Sequence, residues 1–411
     1  MPVLWEQLYA RRAEGMRVSD IREILKVTAQ PDVISLAGGL PAPELFPIDE
    51  YRRAFEWVLE ADGALALQYG PSEGYRPLRE FVAQRLSNFG MRCTADDILI
   101  TNGSQQALDL IGKILLDPGD HVMVERPTYL GALQAFNQYQ TRYVVVGMDD
   151  DGMCVDDVER ILAGQDAEER RVKFIYAIPT FQNPTGRCMT LERRKRLVEL
   201  ASHYGVPIIE DDPYGELRYE GERLPTLKAL DTSGSVIYLG TFSKILAPGL
   251  RLGWVVAAPQ VLEGLLHGKQ PTDLHTGMAQ QMATCEVCKN GFVEQQVERV
   301  KAFYKERRDV MLGALEEHFP SDARFTRPAG GLFVWAELPR TVDTRELLLD
   351  AVREKVAFVP GQGFHPDNSG TNTMRLNFSN VAPDQIREGV RRLGHAIQRR
   401  LNSHGESRVR I

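Results

Sequence analysis

The chain of 411 residues is long enough to form two or three hydrophobic cores. Hydrophobic residues make up 43% of the chain and charged residues 26%, which is ordinary for a globular protein. The net charge of −7 argues against a nucleic-acid partner, and the longest apolar stretch is too short to span a membrane. The N-terminal residues carry charges where a signal peptide needs an apolar run, so we expect a cytoplasmic protein.

The five cysteines are too few and too scattered to indicate a disulfide framework, which also fits a reducing compartment. Cys285 and Cys288 form the only Cys-x-x-Cys pair, in a segment that is predicted to be helical. A zinc site would need a second such pair or a matching pair of histidines. None is spaced to serve, so we expect no metal site.

In chain order, helices and strands alternate over the first two thirds of the sequence. Helices are predicted at residues 4–30, with a break near Gly15, and at 48–61, 76–89 and 107–116. Strands are predicted at residues 98–101, 121–125, 142–146, 174–178, 207–210, 236–239 and 254–258. Because these strands are continuous apolar runs, they indicate an α/β fold with a mainly parallel sheet that is covered on both faces.

After residue 262 the order changes to that of an α+β unit. Helices are predicted there at residues 292–318, 344–355 and 383–402, and strands at 325–327, 331–337, 357–359 and 373–377.

Residues 241–253 form a loop between two of the core strands and contain a lysine in an unusual setting. Lys244 follows the hydroxyl residues Thr241 and Ser243, and Arg251 comes seven residues later. A lysine amine can form a Schiff base with an aldehyde cofactor if its surroundings let it lose a proton. Hydroxyls and an arginine suit an anionic phosphate. On its own, however, the pattern favours a solvated lysine in a polar turn.

Other polar side chains follow the remaining strands, at the sheet edge where ligands bind in α/β proteins. In chain order these residues are Ser104 and Gln105 at a helix start, Tyr129, Asn183 in a proline-rich turn, then Asp211, Asp212 and Tyr214. Each is ambiguous alone, since Asp211 could cap a helix and Tyr129 could pack in the core.

Together with Lys244 they match the needs of a pyridine aldehyde phosphate. Such a ring withdraws electrons only while its nitrogen is protonated, which requires a buried carboxylate beside it. A phenol and an amide at the ring oxygen lower the proton affinity of the Schiff base, so that it can react near neutral pH.

With these parts assembled, the chain resembles a pyridoxal-phosphate-dependent aminotransferase of fold type I, class I/II. It is similar above all to the subgroup of bacterial 2-aminoadipate aminotransferase and mammalian kynurenine/aminoadipate aminotransferase. The motifs that carry the resemblance lie at residues 35–41, 68–69, 183–186, 211–214, 243–244 and 374–376, within a match over about 19–401.

The resemblance implies the architecture. A large domain, residues 48–290, would hold a mostly parallel seven-stranded sheet between helices. Residues 1–47 and 291–411 would form an N-terminal arm and a smaller α+β domain. These enzymes are homodimers with shared active sites, so Tyr69 would reach the phosphate of the neighbouring subunit.

The resemblance also implies the roles of the site residues around pyridoxal 5′-phosphate. Lys244 would be the Schiff-base lysine and proton shuttle, and Asp211 would pair the ring nitrogen, with Asp212 as the competing choice. Tyr214 and Asn183 would bond the ring hydroxyl, and Tyr129 would stack on the ring. The phosphate would be held by Ser104, Gln105, Thr241, Ser243 and Arg251.

For the substrate, Arg375 would clamp the α-carboxylate in a bidentate pair. Arg22 matches an N-terminal arginine that this subgroup places near the substrate side chain, and Ser19 and Gly39 match its neighbours. We therefore expect Arg22 to pair a distal carboxylate, as in 2-aminoadipate or glutamate, the alternative being a mobile surface arginine. Aromatic and branched amino acids are further candidate donors, with 2-oxoglutarate and glutamate as the second couple.

Three other functions compete with this interpretation. A lyase or decarboxylase on the same scaffold starts from the same Schiff base and is not excluded by the motifs. A transcription regulator would need an additional basic domain upstream, which the negative net charge argues against. A structural protein that has lost catalysis conflicts with the intact set of cofactor residues.

Overall fold

The computed structural model describes residues 3–14, 32–164 and 171–409. Its strands, numbered in chain order, are β1 Ile34–Ser35, β2 Ile98–Thr101, β3 His121–Arg126, β4 Arg142–Asp149, β5 Gly152–Met153, β6 Val172–Ala177, β7 Ile208–Asp211, β8 Val236–Thr241, β9 Gly253–Val256, β10 Arg324–Phe325, β11 Phe333–Glu337, β12 Val356–Ala357, β13 Val359–Pro360 and β14 Thr373–Asn377.

The α-helices alternate with these strands. They are Arg11–Glu14, Ile48–Ala66, Arg76–Asn88, Ser104–Leu115, Leu130–Asn137, Val155–Ala163, Leu191–Tyr204, Leu227–Leu230, Pro259–Asp273, Met278–Val287, Phe292–His318, Thr344–Arg353 and Pro383–Val409. No helix in the described ranges is both long enough and apolar enough to cross a membrane.

The large sheet has eight strands in the order β2-β9-β8-β7-β6-β3-β4-β5. Its centre is parallel, since β8, β7, β6, β3 and β4 pair in parallel, whereas β9 runs antiparallel to both of its neighbours. Seven of these strands lie where the sequence predicts them, and the two-residue β5 adds an antiparallel edge. The predicted α/β fold with a large, mostly parallel sheet is confirmed.

Alternate residues of the central strands enter two different cores, one on each face of this sheet. In β3, Val122 and Val124 pack into one buried cluster while Met123 packs into the other. The same division holds in β7 for Ile209 and Ile208. Since both faces are buried, the strand sequences are apolar throughout rather than alternating, which is the pattern that predicts them.

A second, four-stranded sheet of order β10-β11-β14-β13 is antiparallel and belongs to the smaller domain. The N-terminal part of the chain joins this region, because β1 pairs in parallel with β12. The predicted strand at residues 357–359 is wrong in one respect. It is two strands, β12 and β13, which pair with different partners on either side of the fully buried Phe358. The domain boundaries themselves stay a prediction.

A buried arginine fixes the turn that follows β6. Arg194, in the helix Leu191–Tyr204, is fully buried and donates to the carbonyls of Met189 at 2.9 Å and Pro179 at 2.8 Å. It also donates to the Pro225 carbonyl at 3.0 Å and to the Thr180 hydroxyl at 2.9 Å. One guanidinium thus bonds four acceptors, three of them buried, and it ties the residues just before Asn183 to the rest of the domain.

We expect Arg194→Met to destabilise the protein by about 3 kcal/mol, because four acceptors, three of them buried, each lose a hydrogen bond from the guanidinium. Arg196 is the matched control, since it lies on the same helix and makes only half-exposed ion pairs with Glu159 and Glu199. Arg196→Met should cost less than about 1 kcal/mol. Thermal or urea unfolding measures both, and equal losses in the two variants would contradict this account of Arg194.

Candidate active site

The polar residues at the carboxyl ends of the strands converge on one cavity of about 400 Å³. Of the predicted site residues, those that line it are Gly39, Ser104, Gln105, Tyr129, Asn183, Asp211, Tyr214, Thr241, Ser243, Lys244, Arg251 and Arg375. The cavity lies where the two sheets meet, because Arg375 comes from β14 of the small sheet and Asp211 from β7 of the large one. A molecule bound there would contact both sheets.

One end of the cavity is suited to an anion. The helix Ser104–Leu115 begins three residues earlier than predicted, so Ser104 and Gln105 lie in its first turn, after Gly103. Gly103 has a φ of +77°, which a glycine adopts without strain. The buried Ser104 hydroxyl has no hydrogen-bond partner among the described residues. A helix start with free backbone N–H groups and an unpaired hydroxyl is a ready anion site.

The lysine loop completes this anion-binding end. Thr241 donates its hydroxyl to the Leu252 carbonyl at 3.0 Å and accepts from the Ser243 backbone N–H at 3.1 Å. Arg251 sits on the glycine turn and donates to the Asn102 carbonyl at 3.2 Å. The loop and the turn are therefore held together, with a guanidinium and three hydroxyls on one side of the cavity.

Lys244 is half-buried at the centre of the cavity, and its ammonium donates to the Gly39 carbonyl at 3.0 Å. Burial lowers the pKa of this amine to about 8, helped by the nearby Arg375 and Arg251 guanidiniums. Gly39 has to be glycine at this point, because a Cβ there would lie 2.8 Å from the Phe333 ring. The lysine is thus close to neutral at mildly alkaline pH, as a nucleophilic amine has to be.

Asp211 places a buried carboxylate in the cavity wall. It is 2% exposed, and one oxygen accepts a hydrogen bond of 2.7 Å from the Tyr176 hydroxyl. The other oxygen, Oδ1, has no partner among the residues that the structure describes. Burial raises the pKa of Asp211 to about 7. The protonated nitrogen of a bound ring would supply the cationic N–H partner that this oxygen lacks.

Asp212 faces away from this cavity. Its carboxylate accepts from the Tyr238 hydroxyl at 3.1 Å, and it lines a separate small void with Arg85 and Arg223. Successive residues of an extended strand end point to opposite faces. The position therefore favours Asp211 over Asp212 as the ring partner.

Asn183, Tyr214 and Arg375 form a buried chain of hydrogen bonds. Asn183 donates to the Tyr214 hydroxyl at 3.5 Å and accepts from Arg375 Nη1 at 3.0 Å. Arg375 Nη2 donates to the Ala37 carbonyl at 2.8 Å, while its buried Nε has no partner in the described part of the chain. Burial lowers the pKa of Arg375 to about 10. The guanidinium is oriented in advance and still has donors free for a bound anion.

Two aromatic rings, Phe333 and Phe364, hold the Arg375 guanidinium in place. Its carbon lies 4.2 Å from the centre of Phe333 and 5.1 Å from that of Phe364. Neither ring was expected at the site from the sequence, and neither was Tyr176 as the partner of Asp211. Tyr176 lies on a predicted strand beside β7, so the strand order alone could have found it.

Tyr129 and Gln105 complete the wall. Tyr129 precedes the helix Leu130–Asn137, and burial raises its pKa above the ordinary tyrosine value. Gln105 donates to the Gly131 carbonyl at 2.8 Å, which fixes the two helix starts to each other.

One predicted residue that the structure describes, Tyr69, does not line the cavity of this chain. Tyr69 lies in a turn after the helix Ile48–Ala66 and is 75% exposed, and its ring packs edge-on against His275, at 5.8 Å between ring centres. Ser19 and Arg22 fall outside the described residues. Their roles stay predictions.

The residues that line the cavity fit a pyridine aldehyde phosphate. It offers an amine of lowered pKa, a carboxylate with an open oxygen, a phenol beside an amide, and an anion-binding helix start with an unpaired hydroxyl. These are the groups that such a ring needs at its aldehyde, nitrogen, hydroxyl and phosphate, respectively.

We expect Lys244 to react with aldehydes at lower pH than an exposed lysine does. Labelling with a small aldehyde, reduction and mass spectrometry should give a half-maximal rate for Lys244 near pH 8, since burial lowers its pKa. Lys289 is the control, because its hydrogen bond with Glu286 raises its pKa. A common pH midpoint for the two lysines would contradict the assigned environment of Lys244.

Comparisons with known proteins agree with this interpretation of the cavity. Residues 31–393 match the family described as aminotransferase class I and II. Aromatic-amino-acid aminotransferase 1 of Thermococcus litoralis is 48% identical over 398 residues, covering 97% of this chain and 95% of the relative.

Two solved structures are similar along nearly their whole length. Pyrococcus horikoshii kynurenine aminotransferase, in complex with PMP and KYN as substrates and KYA as products, has a TM-score of 0.93 and 46% identity, covering 97% of this chain and 98% of its own. The α-aminoadipate aminotransferase of Thermus thermophilus, complexed with N-(5′-phosphopyridoxyl)-L-leucine, has a TM-score of 0.91 and 43% identity, covering 97% of this chain and 100% of its own. The chain therefore belongs to the class I and II aminotransferases, enzymes of PLP fold type I that depend on pyridoxal 5′-phosphate.

Proposed function

We propose that this aminotransferase moves the amino group between several classes of L-amino acid and a 2-oxo acid, with 2-oxoglutarate and glutamate as one couple. Its candidate donors are 2-aminoadipate-like, aromatic and branched amino acids. The observation that carries the proposal is the meeting of Lys244, Asp211 and Arg375 in one cavity. The relatives described above support the range of donors, since they are named for aromatic amino acids, kynurenine and aminoadipate.

In this proposal each wall of the cavity holds one part of pyridoxal 5′-phosphate. Lys244 would hold the aldehyde carbon, Asp211 would pair the ring nitrogen, and Tyr129 would cover a ring face. Asn183 and Tyr214 would bond the ring hydroxyl. The phosphate would be held by Ser104, Gln105, Thr241, Ser243 and Arg251. When bound, the cofactor withdraws electrons from the substrate α-carbon and carries the amino group from donor to acceptor.

Asp211 keeps a proton on the ring nitrogen. Its carboxylate is desolvated and has one oxygen without a partner among the described residues. A buried carboxylate is stabilised by a cation in contact with it, so its charge and the proton on the nitrogen favour each other. Tyr176 holds the other oxygen and prevents the carboxylate from turning away.

Lys244 moves a proton at the substrate α-carbon. With its pKa near 8, the free amine is a competent base at mildly alkaline pH, and it becomes an acid once protonated. Its amine lies in the cavity, 3.0 Å from the carbonyl of Gly39, which also lines it, so the amine is accessible to a ligand bound there.

Arg375 fixes the substrate α-carboxylate. Nε has no partner in the described ranges, and each Nη atom uses one hydrogen in the bonds to Asn183 and Ala37. The remaining hydrogens suit two carboxylate oxygens. Because Asn183 also contacts Tyr214, the substrate site and the ring-hydroxyl site share one side chain.

A homodimer with shared sites is part of the proposal. Tyr69 is exposed and far more accessible than a residue that serves its own cavity would be. Residues 3–14, the described part of the N-terminal segment, carry five exposed large apolar side chains, Val3, Leu4, Trp5, Leu8 and Tyr9. Clustered exposed apolar groups favour a protein partner, and a second copy of the chain is the partner that Tyr69 requires.

We also place the enzyme in a reducing cytoplasm. All five cysteines, Cys93, Cys154, Cys188, Cys285 and Cys288, are free thiols, which supports this location.

Replacement of Arg375 by lysine tests the carboxylate clamp. We expect Arg375→Lys to lower kcat/KM by roughly a hundredfold or more for every amino donor, because lysine cannot reproduce the planar fork. Arg324→Lys is the control, on an exposed position of the same small sheet. A loss confined to one class of donor would contradict the role at the α-carboxylate, which all donors share.

Arg22 tests the choice of donor. We expect Arg22→Ala to lower kcat/KM for 2-aminoadipate much more than for leucine, because only the first has a distal carboxylate for the guanidinium to pair. Steady-state kinetics with both donors measure the ratio. An equal loss for the two donors would remove Arg22 from the specificity site.

Mixed dimers test the shared site. Lys244→Ala and Tyr69→Ala subunits are each expected to form impaired homodimers. After random reassortment about a quarter of wild-type activity should return, since half of the dimers are mixed and each contains one intact site. Lys244→Ala with Asp211→Ala is the control, because both residues serve their own cavity and no intact site can form. If the Tyr69 mixture also stays inactive, Tyr69 does not act across the interface.

A further inference from the structure

A fully buried lysine lies beneath the anion-binding helix start, outside the cavity itself. Lys269, in the helix Pro259–Asp273, is 0% exposed. Its ammonium donates to both oxygens of Asp273, at 2.9 and 2.8 Å, and to Gln106 Oε1 at 3.0 Å. A fourth acceptor, the buried Thr276 hydroxyl, lies at 3.3 Å. The charge is fully paired, as a buried ammonium has to be.

The carboxylate of this pair holds the turn that leads into the helix Ser104–Leu115. Asp273 Oδ2 accepts from Asn102 Nδ2 and from Gln106 Nε2, both at 2.6 Å. Asn102 and Gln106 flank Ser104 and Gln105, which line the cavity. The pair thus contacts the turn on both sides of the residues that are assigned to the phosphate.

The turn is closed by two further bonds. Gln106 Oε1 accepts from the Asn102 backbone N–H at 2.8 Å, besides its bond from Lys269. The Asn102 carbonyl then accepts from Arg251 Nη2 at 3.2 Å. One continuous set of hydrogen bonds therefore runs from the Lys269 ammonium to the Arg251 guanidinium.

We propose that Lys269 and Asp273 are a positioning pair for the phosphate of the cofactor, a role that rests on the proposed function of the cavity. Asp273 sets the conformation of residues 102–106 through two side chains, so that the N–H groups of the helix start and the Ser104 hydroxyl are oriented before the ligand arrives. Orientation in advance raises affinity, because the ordering is not required on binding.

Lys269 has a second, electrostatic part in this arrangement. A lone carboxylate behind a phosphate site would repel the dianion, since charges separated by buried protein are weakly screened. Lys269 neutralises Asp273 while leaving it able to accept from Asn102 and Gln106. Neither residue lines the cavity, so each acts through the turn and not on the substrate.

The test compares the affinity of the full-length protein for pyridoxal 5′-phosphate and for pyridoxal, which lacks the phosphate. We expect Lys269→Met to weaken pyridoxal 5′-phosphate binding by about tenfold or more and to leave pyridoxal binding unchanged. Equilibrium titration by absorbance measures both constants, and kcat at saturating cofactor should be nearly unaffected.

A double variant separates positioning from plain stability. Lys269→Met alone leaves the part-buried Asp273 carboxylate without its cation and is expected to lower the melting temperature. Lys269→Met with Asp273→Leu removes both charges, which restores much of that stability, but the acceptor for Asn102 and Gln106 is also lost. We expect the double variant to remain about tenfold weaker for pyridoxal 5′-phosphate. If it binds the cofactor as tightly as wild type, the pair has only a structural role and the proposal is overturned.

Lys113→Met is the matched control. Lys113 also bridges the two helices, donating to the Gly268 carbonyl at 3.1 Å and to the Thr272 hydroxyl at 2.9 Å, but these bonds do not involve residues 102–106. Lys113→Met should leave the affinities for pyridoxal 5′-phosphate and for pyridoxal unchanged. An effect equal to that of Lys269→Met would overturn the proposal.

Arg251→Gln distinguishes a failure of this inference from a failure of the proposed function. A selective loss of phosphate affinity in Arg251→Gln, together with none in the Lys269 variants, would overturn the inference alone. If Arg251→Gln too keeps its full preference for pyridoxal 5′-phosphate over pyridoxal, the phosphate does not bind at this turn and both are overturned.

Discussion

The site depends on one buried carboxylate, that of Asp211. It lies at the end of a core strand and lacks a full set of hydrogen-bond partners. Asp211 is 2% exposed, with one oxygen bonded to Tyr176 and one unpaired among the described residues. Desolvation of a carboxylate is costly unless a donor or cation meets it. The folding free energy of the surrounding structure offsets this desolvation, and a protonated ring nitrogen in contact with the carboxylate would reduce it. Lys244 is the opposite case, an amine whose burial among cations favours the neutral, reactive form.

The two sheets meet at this site, which makes its geometry a property of the whole chain. Arg375 on β14 is held by Asn183 from the large domain and by the Ala37 carbonyl from the N-terminal part. Lys244 reaches Gly39 of the same N-terminal part. A shift between the large and small sheets would therefore change the contacts of Arg375 and of Lys244 together.

The parallel core and the strand-end residues could be predicted from sequence because their signals are local. Continuous apolar runs define strands that are buried on both faces, and polar residues after them mark the ligand edge. The split of residues 357–359 into β12 and β13 could not be predicted, since the partners of each half come from β1 and β14, far away in the chain. For the same reason the sequence did not place Phe333 and Phe364 against Arg375. Asp211 and Asp212 are adjacent carboxylates that no local pattern distinguishes, whereas in the structure their side chains line different cavities.

Every role proposed for the cavity depends on Lys244 as the residue that would hold pyridoxal 5′-phosphate covalently. The direct measurement is to load the purified enzyme with the cofactor, reduce it with borohydride, digest it, and locate the phosphopyridoxyl group by mass spectrometry. We expect a single modified lysine, Lys244, and no covalent attachment in the cavity of Lys244→Ala. Stoichiometric attachment at another lysine, such as Lys269 or Lys113, with Lys244 left unmodified, would contradict it.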